Sequence, residues 1–137
     1  MSRTWRVPVI WVQHEDENLV HGSPQWQWAP GLVPAEGEAQ LHKLFNSSFE
    51  QTPLDAHLAA LGATHLVLAG AATHWCIRAT AHGALDRGYD LTLLSDAHTT
   101  GSMTLDDGSW IVAADVICEL NVAWWATRFA PALGHKR

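Results

Sequence analysis

Residues 7–14 (VPVIWVQH) carry apolar residues almost without a break, and residues 65–71 (HLVLAGA) and 90–96 (DLTLLSD) are two further short apolar runs. Strict alternation marks a strand with one wet face, whereas near-continuous runs of this length belong to strands covered on both faces, the habit of parallel sheets. The stretches between them read as helical. Thr52 followed by Pro53 predicts an N-cap with proline at the first helical position, and Leu54, Leu58 and Leu61 then share one face before Gly62 stops the turn. A second helix is expected over 75–87. It has a polar face (Arg78, His82, Asp86), an apolar face (Ile77, Ala81, Ala84, Leu85) and a small-residue face (Cys76, Ala79, Thr80, Gly83) that permits close approach to a sheet. A last helix is expected over 109–126, with Trp110, Ala114, Ile117, Asn121 and Trp124 along one stripe and Cys118 in the core. Strands alternating with helices imply crossover connections, and so an α/β fold of three layers, α/β/α, around a mostly parallel sheet.

At 137 residues the chain is expected to form a single domain, 1–137, large enough to bury a core without staples. Hydrophobic residues make up 47% and charged residues 16%, with no apolar run long enough to cross a membrane. The formal charge of −6 and the scattered lysines and arginines leave no basic stripe for nucleic acid. The opening residues lead straight into a strand with no small-residue cleavage site, so a cytoplasmic location is expected. There the two cysteines, Cys76 and Cys118, are expected as free thiols. Residues 15–49 lose all periodicity and collect Gly22, Pro24, Pro30, Gly31, Pro34 and Gly37, with one short strand expected near 41–45. An excursion of that length inside a compact domain usually builds a site or a lid.

The most informative segment is 69–81, AGAATHWCIRATA, where a strand ends at Gly70 and turns through Ala71 to Thr73. It then delivers Cys76 to the first turn of a helix. Free amides and the positive end of the helix dipole favour an anion there, so such a turn stabilises a thiolate and can also hold a developing oxyanion. The carboxyl end of a parallel strand is also where open α/β sheets place their ligands. On chemistry and placement alone, Cys76 is equally well read as a small buried core residue, since free cysteines are often buried. The same turn lacks the glycine spacing of a dinucleotide fingerprint, which argues against redox chemistry.

The residues resemble the isochorismatase-like cysteine hydrolases. Gly70, Thr73, Cys76 and Thr80 follow that family's cysteine motif in order; HKLFNSSF (42–49) is similar to its lysine-bearing segment; and RGYDLTLLSDAHTT (87–100) looks like its glycine-tyrosine step into a strand. The resemblance runs from residue 7 to about residue 125. It implies Cys76 as nucleophile and Lys43 as the cation that stabilises its thiolate. It also implies a cis Ala71–Ala72 peptide, with the amides of Ala72 and Cys76 holding the oxyanion. His14, Phe49, Trp75 and Ala71 are the substrate-contact candidates. The implied reaction is hydrolysis of a small amide, or a related C–N bond, through a thioester. It needs no cofactor and no metal, and its partners are a small-molecule substrate and, as is common in the family, further copies of the same chain.

The resemblance breaks at both ends. The family's catalytic aspartate closes a first strand that has no match here, and its final edge strand has none either. The chain is therefore expected to lack both strands, whether through a misassigned start, a fragment or a real loss. Absence of the acid–base group would cost about 10²–10⁴ in rate, which keeps open a second reading: an isochorismatase-like binding or assembly module that is catalytically impaired. His74 also departs from the aspartate common at its position. His14, Asp16 and His21 invite comparison with the loop metal site of nicotinamide-hydrolysing relatives, but their spacing differs and they read as polar loop residues. Trp26 and Trp28 are read equally as lid, subunit contact or plain packing. Asp96 reads as a loop-holding group.

Overall fold

The computed structural model describes residues 7–129, with side chains to residue 124. The described residues divide into two compact units, one ending at Gly62 and the other beginning at Ala63. Both combine parallel strand pairs with helices, the α/β pattern expected from the sequence.

In the first unit, β1 (Ile10–His14) pairs in parallel with β2 (Ala39–Lys43), in a register that runs from Ile10 opposite Ala39 to His14 opposite Lys43. The strand expected at 41–45 thus lies two residues earlier, because Gly37 (φ +84°) makes the entry turn and pairing begins directly after it. The long connection is tied back onto β1. The indole of Trp11 donates to Glu38 Oε1 (2.9 Å), the amide of Gln13 donates to the carbonyl of Trp26 (2.9 Å), and the rings of Trp11 and Trp28 meet edge to face. Trp26 and Trp28 thereby hold the excursion. Helix α1 (Leu54–Ala60) begins one residue later than expected, with Pro53 at the cap position. The Thr52 hydroxyl nevertheless accepts the Leu54 N–H at 3.3 Å. Leu54 and Leu58 are buried, but Leu61 stands outside the last turn and is exposed, a correction to the three-leucine face.

In the second unit, β3 (His65–Ala71) and β4 (Asp90–Thr99) form a parallel pair. A register shift between Leu68 and Gly70 lets β4 run on past Asp96, so that His98 lies opposite Gly70 and Thr99 opposite Ala71. The expectation of strands covered on both faces is corrected here: β3 alternates in exposure and Val67 is 61% exposed, so one face of this strand is left uncovered. The helix expected from residue 75 opens as a π-helical turn, Thr73–Ile77, and continues as α2 (Arg78–Asp86). Its buried residues, Ile77, Thr80, Ala81, Gly83 and Ala84, come from the apolar and small faces, while His82 and Asp86 stay exposed.

The last helix needs the largest revision. Residues 103–111 form a hairpin, β5 (Met103–Thr104) with β6 (Trp110–Ile111), turned at Asp106, Asp107 and Gly108 (φ +84°). Helix α3 (Ala113–Phe129) starts only afterwards, with the Ala113 N–H on the Ser102 hydroxyl at 3.0 Å. Its buried stripe is Val116, Leu120 and Trp124, at four-residue spacing. Ala114 and Cys118 each lie two residues from Val116, about 200° round the helix, and are exposed. Trp110, now in the hairpin, is 66% exposed. Asn121 and Ile117 are half-buried and Trp124 is buried, so part of the expected stripe survives.

Candidate active site

The turn after β3 carries the cysteine. The Ala71–Ala72 peptide is cis, as the sequence resemblance implies. The Ala72 carbonyl accepts both the Trp75 N–H (3.2 Å) and the Ile77 N–H (3.1 Å), which winds the π-helical turn on which Cys76 sits half-buried. Gly70 adopts φ +134°, a conformation that suits glycine, and a Cβ there would meet the Ile77 side chain at 3.6 Å. Of the substrate-contact candidates on this turn, Trp75 is 56% exposed and Ala71 is exposed; His74 is half-buried.

Beneath the turn lies a polar chain that sequence reasoning missed. The buried Thr73 hydroxyl meets His98 Nδ1 at 2.9 Å, His98 Nε2 meets Asn121 Oδ1 at 2.8 Å, and Asn121 Nδ2 donates to the Ser95 carbonyl at 3.1 Å. That last bond turns the Asn121 oxygen toward His98. A neutral imidazole then carries its proton on Nε2 and accepts the threonine hydroxyl at Nδ1. One buried histidine thus ties the turn to β4 and α3. The connection has no local signal, since only the register of His98 against Gly70 brings it about. Asp96, the residue singled out on β4 from sequence, is exposed.

Lys43 lies in the other unit, at the end of β2, and is only 5% exposed. Its ammonium donates to His14 Nδ1 (3.0 Å) and to the Phe45 carbonyl (3.0 Å). With Nδ1 accepting, His14 presents Nε2–H to Asp16 Oδ2 at 3.1 Å. The backbone N–H of Asn18, then that of Leu19, with the smaller help of His14, hold the exposed Asp16 carboxyl below the usual carboxylate range. Lys43 therefore belongs to a chain of polar groups rather than standing in solvent. Phe49, the remaining wall candidate, is buried in the same unit.

The sequence matches the family profile described as Isochorismatase domain over residues 2–121. Among curated proteins it is 29% identical to the maleamate amidohydrolase of Pseudomonas putida, over 82% of this chain and 58% of that protein. It is 37% identical to the ureidoacrylate amidohydrolase of Caulobacter segnis, over 61% of this chain and 35% of that protein. Among solved structures, an isochorismatase from Pseudomonas putida superposes with a TM-score of 0.81 at 34% identity, covering 88% of this chain and 64% of that one. The chain spans less than two thirds of the length of each of these proteins.

Proposed function

This chain belongs to the isochorismatase family, and on that premise we propose that it is a cysteine hydrolase acting on a small amide. The thiolate of Cys76 adds to the amide carbonyl carbon, and the amides of Ala72 and Cys76 hold the resulting oxyanion. Collapse breaks the C–N bond as the amine takes a proton from water, and leaves a thioester; water then adds to that carbonyl and the C–S bond breaks, which gives the acid and frees the Cys76 thiolate. Lys43 supplies the positive charge for the thiolate, and Phe49, Trp75, His14 and Ala71 contact the substrate. The observation that carries this reading is the placement of Cys76 in the first turn after β3, behind the cis Ala71–Ala72 peptide. The names of the amidohydrolase relatives support an amide as the bond cleaved.

The two cysteines provide the test, because exposure and activation point opposite ways. Cys118 is exposed and Cys76 only half-buried, so accessibility alone favours Cys118. Iodoacetamide at mildly acidic pH is expected to modify Cys76 first, by about tenfold or more in rate. Preference for Cys118, or equal sluggishness at both, removes the nucleophile from the proposal. Selective labelling of Cys76 with no release of ammonia or amine from small amides would assign the chain instead to a fold-retaining binding module.

A further inference from the structure

The β1–β2 pair carries a second cluster of metal-ligating side chains on the face opposite Lys43. Side chains alternate across a strand, and the register sets His14 against Lys43 and Gln13 against His42. His14 and Lys43 meet on one face. His42 therefore projects from the other, where the Gln13 amide reaches the carbonyl of Trp26. Glu15 follows β1 directly, its N–H on the Lys43 carbonyl at 2.9 Å, and its carboxylate turns to the His42 side. There Oε2 lies 3.0 Å from His21 Nδ1, and Oε1 lies 3.8 Å from His42 Nδ1.

We propose that Glu15, His21 and His42 bind one divalent transition-metal ion, of which Zn²⁺ is the best match, as a clasp between the 15–28 loop and β2. One ligand atom from each residue lies within 4.8 Å of the other two. A tetrahedral zinc with bonds of about 2.1 Å spaces its ligand atoms about 3.4 Å apart, so closing on the ion needs movements of roughly an ångström by partly exposed side chains. Two imidazole nitrogens and one carboxylate oxygen make a borderline donor set that suits zinc better than calcium or magnesium, which favour oxygen alone. The imidazoles are already oriented. The Trp26 ring packs against His21 at 4.2 Å between centroids and against His42 at 5.3 Å, and the two histidine rings stand 4.9 Å apart, edge to face. Trp26 is fixed in turn by Gln13 and by its own N–H on the Ser23 carbonyl at 3.1 Å. The set differs from His14, Asp16 and His21, the trio considered from sequence: His14 faces Lys43, and Asp16 is occupied by Asn18, Leu19 and His14. Facing away from Lys43, the site fastens the loop and takes no part in hydrolysis, so it stands or falls apart from the functional proposal.

Calorimetric titration of the full chain with zinc chloride, beside thermal unfolding with and without zinc, is the test. One zinc per chain is expected, with a rise in melting temperature. Glu15→Gln and His42→Ala should each weaken binding at least about tenfold and abolish the rise, with the circular dichroism of the wild type retained. Asp16→Asn should bind within about twofold of wild type. Absence of binding overturns the proposal. So does retention of wild-type affinity in both folded variants, or loss of binding in Asp16→Asn while His42→Ala still binds.

Discussion

The two units build their polar centres from different materials. Around Lys43 the material is side chains: an ammonium, an imidazole and a carboxylate hung from β1, β2 and the loop beyond, each meeting the next through a single hydrogen bond. Around Cys76 it is backbone, a cis peptide followed by a π-helical turn, held from below by Thr73, His98 and Asn121. A centre made of side chains fails when one of them is removed, because its neighbours are left unpaired. A centre made of backbone tolerates changes at its rim and fails when its support goes.

Lys43→Ala tests the first half of that contrast and is expected to have the largest effect. It should lower amide turnover by about 10²–10⁴ if the lysine serves the thiolate, and destabilise the fold by about 1–3 kcal/mol through loss of its bonds to His14 Nδ1 and the Phe45 carbonyl. Steady-state rates and urea unfolding read the two parts separately. A variant with full activity and lowered stability would make Lys43 a structural cation only. His98→Ala tests the second half. Removal of a buried ring that pairs Thr73 with Asn121 should cost about 2–4 kcal/mol in urea unfolding. It should also slow Cys76 alkylation without touching the cysteine itself; an unchanged alkylation rate would show that the turn holds its shape unaided. The smallest effect is expected for Cys118→Ser, on the exposed side of α3. Stability should change by less than about 0.5 kcal/mol, and the rate at which Cys76 is labelled should not change.

How far the chain could be read in advance follows the same division. Local patterns placed β3 at its observed ends and stopped α1 at Gly62, because strand runs and a left-handed glycine are decided by neighbours in sequence. The cysteine turn was legible for the same reason: strand, turn and helix start lie within 69–81. The apolar pattern over 109–126 misled, although the Asp106-Asp107-Gly108 turn signal was present. A helical period can be traced through a short hairpin when apolar residues fall on both sides of it. The exposed face of β3 was hidden too, since an apolar run does not say which neighbours will cover it.

Composition and spacing alone were enough for the α/β class and the strand-to-helix turn at Cys76, which rest on residues close along the chain, whereas the candidacy of Lys43 came only from the resemblance of 42–49 to the family's lysine-bearing segment. Pairing register was needed to seat His98 beneath the turn, to aim Lys43 at His14, and to gather Glu15, His21 and His42 on the opposite face. In a pleated sheet a slip of one residue exchanges the two faces, so which side chains meet is settled by how strands align, and no local stretch of sequence carries that information.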